Sequence, residues 1–71
     1  MSNTIVAPMP GIVTTIKVKV GDQIKVDDEV LLLEAMKMEN PIYSPYAGKV
    51  REIKVGEKAK VSTNQELIVL E

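Results

Sequence analysis

The sequence contains an internal duplication, and this repeat limits the fold more than any other feature of the chain. Residues 30–34, Val-Leu-Leu-Leu-Glu, return as Leu-Ile-Val-Leu-Glu at residues 67–71, an offset of 71 − 34 = 37 residues. Gly11 and Gly48 are separated by the same 37 residues. Each copy is too small to bury its own apolar face, so the two copies should pack together about a pseudo-two-fold axis.

The other two glycines suggest one difference between the copies. Gly21 in Val-Gly-Asp and Gly56 in Val-Gly-Glu are 56 − 21 = 35 residues apart. We expect these two glycines to be equivalent, so the second copy should be two residues shorter before its glycine. Both segments are predicted to be turns in which glycine supplies backbone freedom.

Apolar and polar residues alternate within each copy, as in Ile-Lys-Val-Lys-Val at residues 16–20. A period of two is that of a half-buried strand, and no segment needs to be a helix. The alternation slips by one residue between Val13 and Ile16 and again between Val50 and Ile53. A slip at equivalent positions predicts a β-bulge that is used twice. The expected fold is an all-β, closed or nearly closed sandwich.

Composition narrows the classes of function. At 71 residues the chain should form one domain, residues 1–71, with an aliphatic core, because 45% of its residues are hydrophobic and 3% aromatic. It has no Cys and no His, which removes the usual metal ligands and the commonest general base and argues against catalysis by the chain itself. The formal net charge is −1 without a block of one sign, so no nucleic-acid or membrane surface is predicted. A cytoplasmic location is expected.

A lysine between two methionines lies near the midpoint of the chain. Residues 34–40 read Glu-Ala-Met-Lys-Met-Glu-Asn, so Lys37 is flanked by flexible, polarizable side chains that usually fill cores or form recognition surfaces. The runs on either side are extended, which places Met36 and Lys37 at the centre of a tight β-turn. Such turns favour Asn-Gly, because both central residues can need positive φ. A non-Gly residue held there costs about 1–3 kcal/mol, and such departures cluster at functional positions.

This segment resembles the attachment site of the biotinyl domain of biotin-dependent carboxylases, decarboxylases and transcarboxylases, whose biotinylated lysine lies in Ala-Met-Lys-Met. Lys37 occupies the matching position, and the resemblance covers nearly the whole chain. It implies a flattened β-barrel, the barrel-sandwich hybrid, built from two four-stranded antiparallel sheets with pseudo-two-fold symmetry. It also implies covalent biotin on Lys37.

The resemblance implies a biotin carboxyl carrier and not an enzyme. A biotin protein ligase would activate biotin as an acyl-adenylate, and the neutral amine of Lys37 would attack it to form an amide. On the resulting swinging arm, a biotin carboxylase would place CO₂ using ATP and bicarbonate, and a carboxyltransferase would move it to or from an acyl-CoA or 2-oxo acid. Glu39, with Glu34, would help to position the turn. The residues expected to contact the ligase or the partners flank the lysine: Glu34, Ala35, Met36 and Met38.

Two other functions remain open. A lipoyl domain resembles this fold and duplication but carries Asp-Lys at its turn, and the methionines beside Lys37 favour biotin. An unmodified barrel-sandwich would act as a structural adaptor. The carriers of many bacterial acetyl-CoA carboxylases have a protruding thumb after their first Gly-containing strand, whereas residues 14–18 here run directly to Gly21. The chain therefore resembles the thumbless biotinyl domains.

Overall fold

The computed structural model describes residues 3–71. These residues form two four-stranded antiparallel sheets, with strand orders β1-β8-β6-β3 and β5-β4-β2-β7. This architecture confirms the predicted all-β barrel-sandwich. Among the described residues there is no helix long and apolar enough to cross a membrane. The eight strands are β1 (Asn3–Val6), β2 (Gly11–Ile16), β3 (Gln23–Ile24), β4 (Glu29–Ala35), β5 (Met38–Tyr43), β6 (Gly48–Ile53), β7 (Lys60–Val61) and β8 (Glu66–Leu70).

Each sheet is assembled from both copies of the repeat. The first sheet joins β1 and β3 of the first copy to β6 and β8 of the second, and the other sheet holds the remaining four strands. The strand pairings occur in duplicate at the 37-residue offset. Val13 lies opposite Leu33 in one sheet, and Val50 lies opposite Leu70 in the other. The predicted pseudo-two-fold relation therefore exchanges the two sheets.

The β-bulges predicted from the slipped alternation are present in both copies. The β2–β4 register shifts between Val13 and Thr15, and the β6–β8 register shifts between Val50 and Glu52. A bulge bends its strand and increases the local twist. Two equivalent bends allow each short sheet to curve around the shared core.

The predicted two-residue shortening of the second copy is wrong. The amide of Gly21 donates to the carbonyl of Val50 at 2.9 Å, and the amide of Lys58 donates to the carbonyl of Val13 at 2.6 Å. Exchange of the copies converts one bond into the other, so the equivalent of Gly21 is Lys58 (58 − 21 = 37) and not Gly56. Gly21 has φ of 99° and Lys58 has φ of 71°, whereas Gly56 is not in the positive-φ region. The offset therefore stays at 37 through this loop.

The core lies between the sheets and is aliphatic, as the composition predicts. Met9 is half-buried against it, which agrees with a packing role for this methionine. Ser44 is a buried polar residue, and its hydroxyl donates to the carbonyl of Tyr46 and accepts the Tyr46 amide hydrogen. The largest fully buried side chains are Ile5, Leu31, Leu33, Leu67, Ile68 and Leu70.

The duplication extends to the charged surface. Lys17 Nζ lies 2.8 Å from a carboxylate oxygen of Glu29, and the equivalent Lys54 Nζ lies 3.4 Å from one of Glu66. The hydrogen bond and the charge of Glu29 raise the pKa of Lys17 above the ordinary lysine value. Both pairs are solvent-exposed, so they align neighbouring strands and contribute little to stability.

Candidate functional site

The Met-Lys segment forms the tightest possible connection between two strands. Ala35 at the end of β4 pairs with Met38 at the start of β5, which leaves Met36 and Lys37 as a two-residue hairpin loop. Their φ angles are 54° and 65°. Positive φ at both central residues defines the type I′ turn, whose twist matches that of the flanking strands. The prediction of a tight turn with an unfavourable sequence is confirmed.

The turn presents apolar side chains to solvent. Met36 is 93% exposed and Met38 is 66% exposed, and the lysine between them is exposed as well. Neither methionine fills the core, because the turn lies beyond the packed part of the hairpin. Exposed apolar groups beside an exposed amine are typical of a surface that another protein recognises.

Ala35 is placed differently from the other predicted recognition residues. It retains only 8% of its surface exposed, so its methyl group lies beneath the turn and not on it. A larger side chain would have to displace neighbouring core atoms. The predicted contribution of Ala35 to recognition would therefore be indirect: its small side chain sets how the turn sits on the barrel.

Two carboxylates lie behind the lysine. Glu34 and Glu39 are directly opposite each other on β4 and β5, one step from the Ala35–Met38 pair, and both are exposed. Like charges at directly opposed positions are unfavourable in a hairpin. The hydroxyl of Thr14 on the neighbouring strand donates to Glu39 Oε2 at 3.1 Å, with the Leu32 carbonyl as an alternative acceptor at 3.3 Å.

The amine of Lys37 is not engaged by these carboxylates. Across residues 3–71, the ion pairs join Lys17 to Glu29 and Lys54 to Glu66, and Lys37 belongs to neither. An exposed amine without a fixed partner can enter the active site of another protein without first breaking a salt bridge. The carboxylates supply a negative field at the base of the turn instead.

An open groove of about 580 Å³ runs from the turn across the end of one sheet. Its lining includes Glu34, Ala35, Met36 and Lys37 from the hairpin and residues 11–12 at the start of β2. Gly11 allows β2 to approach β4 closely there, since a Cβ atom at Gly11 would lie 2.5 Å from the Glu34 carbonyl oxygen. The groove residues that lie apart from the hairpin in sequence are Pro10, Gly11, Ile12, Lys60, Val61 and Ser62.

The structure thus brings together Glu34, Met36, Lys37 and Met38 on the surface and keeps Ala35 beneath them. The groove and the hydrogen bond from Thr14 to Glu39 are not predicted by the sequence. The groove is formed by pairing of β2 with β7, where Ile12 lies opposite Lys60, and no local pattern signals that contact. The feature of the sequence that marks the groove is Pro10-Gly11, which corresponds to Ala47-Gly48 in the second copy. Only the first copy has a proline at this loop edge.

Known proteins that are similar to this chain show the family to which it belongs. Residues 3–70 match the family model described as "Biotin-requiring enzyme". The biotin carboxyl carrier protein of Streptococcus mutans is 41% identical over 69 residues, which are 97% of this chain and 53% of that protein. Pyruvate carboxylase of Staphylococcus aureus is 40% identical over 65 residues, which are 92% of this chain and 6% of that protein.

Solved structures agree at the level of the fold. A single-chain, multi-domain long-chain acyl-CoA carboxylase superposes with a TM-score of 0.88 at 25% identity, covering 96% of this chain and 7% of that chain. The urea carboxylase of Kluyveromyces lactis superposes with a TM-score of 0.92 at 24% identity, covering 100% of this chain and 6% of that chain. This second similarity establishes the fold alone.

The chain spans about half the length of the carrier protein and less than a tenth of the larger carboxylases that it matches. The matched region nevertheless includes both copies of the repeat and the turn between them. With a family match over residues 3–70 and relatives about 40% identical across more than nine tenths of its length, this chain belongs to the biotin-requiring enzyme family.

Proposed function

We propose that this chain is a biotin carboxyl carrier, biotinylated on Lys37, that serves a biotin carboxylase and a carboxyltransferase. The observation that carries the proposal is the exposed type I′ turn, which places Lys37 between two exposed methionines in a member of a biotin-requiring family. The names of the relatives, a carrier protein and a pyruvate carboxylase, support the same role. A cytoplasmic location and the absence of catalysis by the chain itself belong to this proposal.

The residues of the turn fit a covalent biotin. The Lys37 Nζ would bond to the carboxyl carbon of biotin, AMP would leave from the acyl-adenylate, and the amine would lose its protons to the ligase site. When bound, biotin supplies a ureido nitrogen that accepts and releases a carboxyl group. The chain offers no His or Cys that could act as the base, so deprotonation falls to the ligase.

The residues that flank Lys37 have different roles in recognition. Met36 and Met38 provide adaptable apolar contacts for the ligase and later for the carboxylase. Glu34 and Glu39 present their carboxylates on the strands that lead into the turn. The two-residue hairpin loop, with Ala35 buried under it, holds the amine away from the barrel surface so that a partner can enclose it.

The test is the intact mass of the protein after incubation with biotin, ATP and a biotin protein ligase. The wild type should gain one biotinyl group, and Lys37→Arg should gain none because a guanidinium is not a nucleophile. Lys49→Arg is the matched control, since Lys49 is an exposed lysine outside the turn, and it should be labelled like the wild type.

Other results would overturn the assignment. Equal labelling of Lys37→Arg would place the attachment at a different lysine. An unchanged mass in a folded wild-type protein would contradict the carrier function, and a mass gain with lipoate and a lipoyl ligase would then identify the chain as a lipoyl-type carrier.

A further inference from the structure

We propose that the biotinylated side chain of Lys37 has a docked position on its own domain, in the groove between the turn and β7. This inference rests on the proposed function, because it concerns the group attached to Lys37. The groove has a volume of about 580 Å³ and includes Lys37 in its wall. Sites for small organic ligands have volumes of roughly 300–1,000 Å³, so the groove can hold the bicyclic ring of biotin.

The length of the arm matches the width of the groove. The strand order β4-β2-β7 places β2 between the hairpin and β7. Neighbouring strands are about 4.8 Å apart, so β7 lies about 10 Å from β4 across the groove. The lysine methylenes, the amide and the valeryl chain together exceed that distance when extended. The ring can therefore reach β7 while its arm lies along the start of β2.

The walls of the groove suit the two sides of the biotin ring system. Ile12 is half-buried, and with Pro10 it forms the apolar part of the lining, on which the arm and the sulfur-containing ring can lie. Ile12 lies between Glu34 and Lys60, the residues directly opposite it on β4 and β7. Lys60 and Ser62 also line the groove, and their side chains end in an ammonium group and a hydroxyl. Both groups can donate a hydrogen bond to the ureido carbonyl oxygen.

Biotinylation itself would move the preferred position of the Lys37 side chain from solvent into the groove. An unmodified lysine keeps its ammonium group hydrated and cannot lie along an apolar surface without a partner. Formation of the amide removes the charge and adds apolar length, so contact with Ile12 becomes favourable. The carrier would then alternate between a docked arm and an extended arm held by a partner enzyme.

The test compares amide NMR spectra of isotope-labelled protein before and after biotinylation, with intact mass confirming complete modification. Lys37→Gln serves as a second reference, because it removes the charge without adding an arm. The docked position predicts that amides of Lys60, Val61 and Ser62 shift in the biotinylated protein but not in Lys37→Gln. Nuclear Overhauser contacts should join biotin ring protons to the methyl groups of Ile12.

An internal control comes from the duplication. Gln23 and Ile24 in β3 are equivalent to Lys60 and Val61 (60 − 23 = 37), and their amides should not shift. Full mass gain with shifts confined to residues 35–38 would overturn docking and leave the carrier function intact. No mass gain at all would overturn the proposed function and this inference together.

The sharpest variant is Ile12→Lys. Lys49 occupies the equivalent position in the second copy (49 − 12 = 37), so the fold already accepts a lysine at this place in the strand. A charge in the lining of the groove should abolish the biotin-dependent shifts at residues 60–62 while the mass gain is retained. Lys49→Ala, at the equivalent place outside the groove, should leave those shifts as in the wild type. Unchanged shifts in Ile12→Lys would overturn the proposed position of the ring.

Discussion

At the scale of single residues, the turn combines two properties that are seldom found together. Met36 and Lys37 both hold positive φ, which costs about 1–3 kcal/mol for a residue with a side chain. Met36 also exposes 93% of an apolar surface that would normally be buried. Neither feature stabilises the fold, and the proposed recognition of the turn by a ligase or a carboxylase would account for both.

The strain at Met36 can be measured by replacing it with a residue that tolerates positive φ. Met36→Asn should stabilise the protein by about 1 kcal/mol, because asparagine is favoured at the first central position of a type I′ turn. Urea denaturation at equilibrium would give the change in the free energy of unfolding. Met38→Asn is the control, since Met38 begins a strand without positive φ and asparagine is disfavoured in strands. Equal stabilisation by both variants would contradict this account.

A second residue-scale prediction separates folding from recognition. Met36→Leu should change the free energy of unfolding by less than about 0.5 kcal/mol, because the side chain is exposed. Its labelling by the ligase should be retained, while turnover with the carboxylase should slow, since leucine lacks the flexible thioether chain of methionine. Intact mass and carboxylation kinetics would measure the two effects. A folded but unlabelled Met36→Leu protein would show that the ligase itself requires the methionine.

At the scale of elements, the loops after β2 and β6 adopt one geometry with different residues. Gly21 and Lys58 are equivalent and both have positive φ, while Lys19 and Gly56 are the equivalent pair two residues earlier. The hydrogen bonds of the loops fix this correspondence: Asp22 N–H donates to the carbonyl of Lys19, as Ala59 N–H does to that of Gly56. The glycine of the second copy therefore lies where no positive φ is required.

Two lysine-to-glycine variants should consequently change stability in opposite directions. Lys58→Gly should stabilise the protein by up to about 1 kcal/mol, because it relieves the left-handed conformation. Lys19→Gly should destabilise it by about 0.4–1 kcal/mol, because glycine there only adds entropy to the unfolded chain. Both lysines are exposed, so little else changes. Thermal unfolding would record the signs, and the same sign for both variants would contradict the 37-residue correspondence.

The parts of the fold that could be predicted are those with a local signal. The slips in the apolar–polar alternation after Val13 and Val50 predicted the bulges, because an extra residue is needed for the apolar side chains to return to the same face. The residues that flank Lys37 predicted the position of the turn. The conformation of Lys58 could not be predicted, since a lysine gives no sign of positive φ. The groove could not be predicted either, because Ile12 and Lys60 meet only through long-range strand pairing.

At the scale of the whole molecule, the two copies are interleaved and not side by side. Each sheet takes two strands from each copy, and the core residues Leu33 and Leu70 come from different copies. A single copy would therefore lose half of every sheet. Within residues 3–71, neither copy alone supplies a complete sheet beneath the turn.

This interleaving predicts that half the chain cannot fold. A fragment of residues 1–37 should give a circular dichroism spectrum without β-sheet signal, whereas the full chain should unfold in one cooperative transition. The chain has no Trp to report on unfolding by fluorescence, and hydrogen exchange of amides in β4 and β8 would test the cooperativity. A folded fragment, or separate exchange of the two strands, would contradict the prediction.

The pairing of Asn3 with Leu70 repeats that of Asn40 with Leu33, which means that the backbone is nearly a ring. In the repeat, Glu71 and Met1 correspond to Glu34 and Met38 (71 − 34 = 37 and 38 − 1 = 37), which Ala35, Met36 and Lys37 join. Ligation of Glu71 to Met1 through an inserted Ala-Met-Lys would therefore give a cyclic protein with a Met-Lys turn at each end of the barrel.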